Sequence, residues 1–227
     1  MGFKERSFEK PAYTESSEEP KKIIIISCEG CVTEPEYFKA VDEKLKGNIS
    51  SLIKVEIVPK ISTASEPADV LSNLEIFVDQ YDFKKDHDSL WLVCDREKVV
   101  ARKLNIEKIL PECQEKGYSL AVANPLFEFW LLLHVVDIKK YDPDVLFCNS
   151  RVSKSRRYID KELSNILKNG YNKKRGRFNK DIISLDNIKF AINQEKLFEN
   201  ELTGILERLG SNIGSLVREI IDDIPSD

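Results

Sequence analysis

The chain has 227 residues, of which 41% are hydrophobic and 33% charged, a balance that supports a packed core and excludes a wholly disordered protein. No apolar run approaches the roughly 18 residues of a membrane span, and the N-terminal MGFKERSFEKPAYTESSEEPKK lacks the apolar centre of a signal peptide, so a cytoplasmic protein without membrane association is expected. The formal charge of −4 is uneven, because residues 151–180 hold eleven Lys/Arg against two Asp/Glu and leave −13 to the remainder.

Residues 1–20 are polar, rich in Ser, Glu and Pro, and show no apolar period, so they read as a flexible arm. KIIIISC (22–28) is a continuous β-branched run, the pattern of a strand covered on both faces in a parallel sheet. Thr33 with Glu36 three residues on, and Pro35 between them, reads as a capping box opening a helix to about Lys46. The unit then repeats. IKVEIVP (53–59) is a second strand, and Ser65 with Pro67 starts a helix to about Tyr81 that buries Val70, Leu71, Leu74, Phe77 and Val78. DSLWLVC (88–94) is a third strand, Asn105 to Lys116 a helix closed by Gly117, and YSLAVA (118–123) a fourth strand, after which Asn124-Pro125 opens the helix LFEFWLLLH. Successive βα units imply a mostly parallel α/β sheet flanked by helices, over residues 21–140. Residues 141–227 form a basic and helical C-terminal extension, in which LFENELTGILERLG and NIGSLVREIIDDI are the clearest amphipathic helices.

Ligands of parallel α/β sheets bind beyond the carboxyl ends of the strands. Three acids stand there: Glu29 after the first strand, beside Gly30, which permits a tight turn, and Asp95 and Glu97 after the third. In an extended segment the i, i+2 spacing turns Asp95 and Glu97 to the same side. Three carboxylates around one cleft repel each other unless a cation neutralises them, and oxygen ligands suit Mg²⁺ or Mn²⁺. The competing reading is that each is a surface acid or a helix cap. Glu34 and Glu128 lie in first turns of helices, where a carboxylate is favoured by the helix dipole, yet both could extend the acidic cluster. Arg96 points away from its acidic neighbours if extended and could hold a phosphate. Trp130 and His134 share a helix face and read as packing and a hydrogen-bonded core histidine.

The basic segment offers Lys154, Arg156, Arg157, Lys173, Lys174, Arg175 and Arg177 to a nucleic-acid backbone, with Tyr158, Tyr171 and Phe178 among them as stacking candidates. A solvated face is the alternative. The five cysteines, odd in number and two of them inside apolar runs, argue against a disulfide framework, and the one C-x-x-C, Cys28 and Cys31, has no second pair to complete a zinc site. Neither a catalytic triad nor a G-x-x-x-x-G-K-[ST] phosphate loop is present, so the chain itself does not read as a nucleotide hydrolase.

ISCEGCVTEPEYF, LWLVCDREK, ANPLFEFWLLLH and GSNIGSLVREI, in this order, resemble the RloB-like (AbiLii-like) family of bacterial proteins, whose core is similar to a Toprim domain. The resemblance implies a Toprim-like (Rossmann-like) fold, with Glu29 as general acid/base and metal ligand and with Asp95 and Glu97 as the metal-binding acids. The family pattern has aspartate where Glu97 stands, and the extra methylene lengthens the arm that would hold the metal. The resemblance further implies a nuclease effector of phage defence, of the abortive-infection type, associated with a partner ATPase. A non-catalytic regulatory subunit docked on that ATPase is the alternative. DNA or RNA, including a structured RNA such as tRNA, and homo-oligomer formation are left open.

Overall fold

The computed structural model describes residues 22–50, 52–60, 64–80, 84 and 87–221. The expected N-terminal arm lies outside them. Five strands form one sheet in the order β2-β1-β3-β4-β5, where β1 is Lys22–Cys28, β2 Ile53–Ile57, β3 Ser89–Asp95, β4 Ser119–Asn124 and β5 Gly210–Ser211. The first four are parallel, and the two-residue β5 runs antiparallel to β4. The α/β reading holds, with one antiparallel edge strand added to the parallel set.

The isoleucine run explains why β1 is central. Ile24 and Ile26 point into one apolar layer, together with Trp91, Val93, Ala121 and Ala123 of the neighbouring strands. Ile23 and Ile25 point into the other, with Leu90, Leu92, Leu120 and Val122. All four isoleucines are at most 3% exposed, and each such side chain contributes about 1.5–3 kcal/mol on burial.

Helices α2 (Pro67–Val78), α3 (Val100–Lys116) and α8 (Leu202–Ile205) cover the second layer, through residues such as Leu74, Ile106 and Ile205. Helices α1 (Thr33–Lys44), α4 (Phe127–Leu133), α6 (Tyr158–Ile166), α7 (Leu185–Glu195) and α9 (Ile213–Ile220) cover the first, with α5 (Pro143–Cys148) at its margin. Residues beyond 141 therefore share a core with α1, α4 and the sheet. Gln194 on α7 satisfies its buried amide against this frame, donating to the carbonyls of Leu133 (2.6 Å) and Val136 (2.8 Å) and accepting from the Ile138 N–H (2.7 Å).

Four local readings change. The capping box at Thr33 is absent: Val32 is the N-cap, and the Glu36 carboxylate instead accepts the N–H groups of Gly176 and, at 3.1 Å, Phe178. Helix α2 is capped by Glu66 rather than Ser65, with the Glu66 N–H donating to Asp69 at 3.1 Å. Helix α3 begins at Val100, five residues before Asn105. The stretch 197–210 is not one amphipathic helix but the single-turn α8 followed by β5. Tertiary pairing wins there: Gly210 lies so close to the Glu199 backbone that any side chain on it would collide, and Asn124 donates to the carbonyls of Ile205 (2.6 Å) and Arg208 (2.9 Å).

Candidate functional site

Between β1 and β2 the chain builds outward on one side of β1, and it then crosses to β3 on the other. This reversal leaves a crevice at the carboxyl ends of β1 and β3, the usual ligand position in open α/β sheets. The ladder aligns Cys28 with Val93, so Glu29 and Asp95 emerge side by side. The Glu29 N–H donates to the Val93 carbonyl at 2.9 Å, and the Asp95 N–H donates to Glu29 Oε2 at 3.0 Å. Asp95 Oδ1 in turn accepts the Phe127 N–H at the start of α4, at 2.7 Å.

Glu34 and Glu128 join this pair from the first turns of α1 and α4. Both are buried, as is Glu29. The Glu34 carboxylate lies over Gly30, where a methyl group would overlap it. Close approach, not backbone conformation, is thus what the glycine provides, since its φ is not positive. Burial pushes Glu34 up to about 7, and repulsion from Glu128 and Glu29 adds to the shift. Burial also raises Asp95 well above the usual carboxylate range, with Glu34, Glu29 and Glu128 all contributing. Four acids therefore feel one another across the crevice, and protonation relieves part of their repulsion.

Glu97 sits differently from the extended reading. The strand ends at Asp95, and Glu97 has φ 46°, a left-handed conformation, with its N–H on the Pro125 carbonyl at 3.0 Å. The same-side i, i+2 argument fails because the backbone turns. The Glu97 charge still acts on Glu29 and raises it. Arg96 does not face a ligand: its guanidinium donates to the carbonyls of Leu206 (2.7 Å), Glu97 and Val99 (3.2 Å), and so clamps the end of α8 to this loop.

Two cations that sequence reasoning did not assign to the acids are bound to them. Arg102 is buried in the first turn of α3, the turn that the expected helix start omitted. It pairs with Glu29 Oε1 and with Glu66 (3.1 Å), while its Nε donates to the Asp95 carbonyl at 3.2 Å. Burial, opposed by Arg102 and the Asp95 N–H, leaves Glu29 raised to about 7. The signal for Arg102 in the sequence was an arginine one helical turn into the segment that follows the acidic strand end. Lys60 adds a third positive group, donating to the Glu29 carbonyl.

Lys173, expected on nucleic acid, pairs with Glu128 at 2.7 Å and with Asp160 at 3.1 Å. Tyr171, expected as a stacking platform, is 5% exposed and donates its hydroxyl to Glu128 at 2.6 Å. With that proton committed, the Thr33 hydroxyl 3.4 Å away donates to Tyr171. Phe178 is partly buried against the core, 6.4 Å from the Tyr37 ring. Arg156 is half-buried and turned to the Asp160 and Tyr171 carbonyls, each at 3.5 Å. Lys154, Arg157, Lys174, Arg175 and Arg177 are exposed.

Beneath the site, His134 is a core residue. Its Nδ1–H donates to the Trp130 carbonyl at 2.9 Å, leaving Nε2 to accept from the Tyr37 hydroxyl at 3.2 Å. Burial lowers it from 6.5 to about 4.

The donor set suits a hard divalent cation in kind: it is all carboxylate oxygen, with Glu29, Glu34 and Glu128 buried. Its arms are not yet gathered on one point. Among the described residues no three His, Cys, Asp or Glu side chains form a ready metal-holding group; Arg102 engages Glu29 and Lys173 engages Glu128. Cys28 and Cys94 are buried inside the layers, whereas Cys31 and Cys148 are exposed, and all four are free thiols.

Strand order 2-1-3-4 with carboxylates at the β1/β3 reversal defines a doubly wound α/β protein with an acidic strand-end site. The chain belongs to the family of RloB-like proteins, whose model matches residues 24–223. No curated protein and no solved structure matches it. No helix among the described residues is long and apolar enough to cross a membrane.

Proposed function

We propose that the protein is a Toprim-like, Mg²⁺- or Mn²⁺-dependent nuclease acting as a phage-defence effector of the abortive-infection type under the control of a partner ATPase. The observation that carries this reading is the convergence of Glu29, Glu34, Asp95 and Glu128 at the β1/β3 crevice, where burial and repulsion from the neighbouring acids raise the pKa values of Glu34 and Asp95. Asp95, Glu97 and Glu29 would hold the ion, with Glu128 as a further arm, and the ion when bound supplies Lewis-acid activation of water and of the scissile phosphate. The defence role and the ATPase rest on the family resemblance.

The chain's own residues take the remaining parts. Glu29, raised to about 7, is matched to proton transfer near neutral pH through its carboxylate oxygens. Arg102 fixes the orientation of that carboxylate. Lys174, Arg175 and Arg177, with Lys154 and Arg157, neutralise backbone phosphates at the rim, and the buried positions of Glu29, Glu34 and Glu128 limit bulk water. DNA and RNA are both open to such a site, because phosphate contacts carry no base information.

Purified full-length protein is to be incubated with plasmid DNA and with total RNA in Mg²⁺, Mn²⁺ or EDTA, beside Glu29→Gln and Asp95→Asn. Metal-dependent cutting that falls at least about 100-fold in both variants is expected. The engagement of two acids by Arg102 and Lys173 favours one other reading, a non-catalytic regulatory subunit that keeps the acidic shell. Absence of both cutting and divalent-cation binding would select it.

A further inference from the structure

Arg102 and Lys173 each neutralise one arm of the acidic cluster, but they are held differently. Lys173 lies in the segment between Tyr171 and Phe178, and that segment is pinned at both ends. The Tyr171 N–H donates to the Ser164 hydroxyl at 3.2 Å, and Glu36 holds the N–H groups of Gly176 and Phe178. Between these anchors residues 172–177 are exposed, and Gly170 (φ 68°) and Gly176 (φ 69°) take the left-handed conformation that the turn requires. The Lys173 side chain is 47% exposed while its partners Glu128 and Asp160 are below 10%. A flexible four-carbon stem with one face in water can leave its partners while the backbone stays in place.

The neighbours of Lys173 supply a reason to leave. Lys174, Arg175 and Arg177 are exposed, and no salt bridge joins any of them to another described residue. A polyanion seated on these three brings phosphate charge within reach of the Lys173 ammonium, outside the crevice. Removing Lys173 from Glu128 strips the cluster of a positive charge, which a divalent cation can restore.

We propose that Lys173 is a tethered counter-ion that competes with the divalent cation for the Glu128 arm, so that polyanion binding on the 172–177 segment and divalent-cation binding in the crevice strengthen one another. This rests on the reading of the acids as a divalent-cation site and adds a control to it. Because the two ligands act on one side chain, the coupling is reciprocal: each raises affinity for the other by the same factor.

The test is calorimetric titration of full-length protein with Mn²⁺ alone, and again with a saturating phosphorothioate thymidine oligomer, for wild type and Lys173→Met. The variant is expected to bind Mn²⁺ about tenfold more tightly than wild type. The oligomer is expected to tighten Mn²⁺ binding to wild type by a similar factor and to leave the variant unchanged. Equal Mn²⁺ affinity in the two proteins would overturn the counter-ion role while leaving the cation site intact. Mn²⁺ bound by neither would instead overturn the cation site itself. A single cooperative thermal transition of Lys173→Met shows that any difference is not misfolding. Lys173→Arg, which keeps the charge, is expected to restore the weaker wild-type affinity.

Discussion

The Glu29 and Glu128 arms of the crevice solve the same electrostatic problem in opposite ways. At Glu29 the counter-charge is Arg102, in the first turn of a seventeen-residue helix, buried and tied at once to Glu66 and to the Asp95 carbonyl. At Glu128 it is Lys173, on a connecting segment, half in water, with two buried carboxylate partners. A guanidinium fixed by several elements is part of the architecture. An ammonium on a loop is a ligand that the chain happens to carry. The difference shows how a buried acidic site can be folded stably and still be open to exchange on one side.

The comparison breaks most directly at Arg102. Replacing it with methionine strands Glu29 in a buried position without its partner, and the expected loss is about 3–5 kcal/mol of unfolding free energy. The matching change at Lys173 is expected to cost less, about 1–3 kcal/mol, because Lys173 is half in water although it leaves the buried Glu128 and Asp160 without their cation. Urea denaturation of both variants checks the asymmetry, and equal losses would mean that the two cations are held alike.

The fixed side extends beneath the site to His134, and there the pH dependence has a definite sign. Its folded-state pKa, about 4, lies below the ordinary 6.5. The unfolded chain therefore takes up the proton first as pH falls. The contribution of His134 to stability is complete above about 6.5 and is lost as pH drops to 4, an amount of about 3 kcal/mol. Tyr37 and the Trp130 carbonyl are the groups that face it, and neither supplies a negative charge. Unfolding free energies of wild type and His134→Gln, measured from pH 7 to pH 4, are expected to converge by that amount; parallel curves would show that the histidine titrates normally.

A smaller effect is expected at Gly30, where alanine would overlap the Glu34 carboxylate. The cost is about 1–3 kcal/mol, the range for forcing an extra methyl into a packed site. A Gly30→Ala protein as stable as wild type would show that the Glu34 carboxylate swings aside at little cost. The smallest change in stability belongs to the open side: alanine at Lys174, Arg175 and Arg177 together is expected to leave unfolding within about 0.5 kcal/mol. The same triple variant is expected to lower the salt dependence of duplex binding by about 0.9 for each phosphate that it no longer neutralises. An unchanged salt slope would remove this segment from the nucleic-acid interface.

Local chemistry was legible wherever one element decided the outcome. The β-branched run 22–28 could only be a strand buried on both faces, and acids directly after strands could only stand at the carboxyl edge of a parallel sheet. Glu29 and Asp95 were therefore readable as neighbours before any coordinates. Glu97 was readable as near the site but not as a left-handed residue, because nothing in D-R-E marks the turn that the Pro125 carbonyl imposes on it.

What only the tertiary structure decided is which cation meets which acid. Arg102 and Glu29 are 73 positions apart, and Lys173 and Glu128 are 45 apart. Charge patterning along the chain cannot pair groups at such distances, so the basic segment read as a surface for polyanions throughout, although Tyr171 and Lys173 turn inward. Glu36 and Arg96 show the same limit. Each has a plausible local role, a cap and a phosphate ligand, and each is instead used on backbone groups of a distant segment. Sequence set the strands, their burial and the acids at their ends, because those follow from side-chain periodicity. The compensation of the acids was settled by packing, because a buried charge takes whatever partner the fold brings within reach.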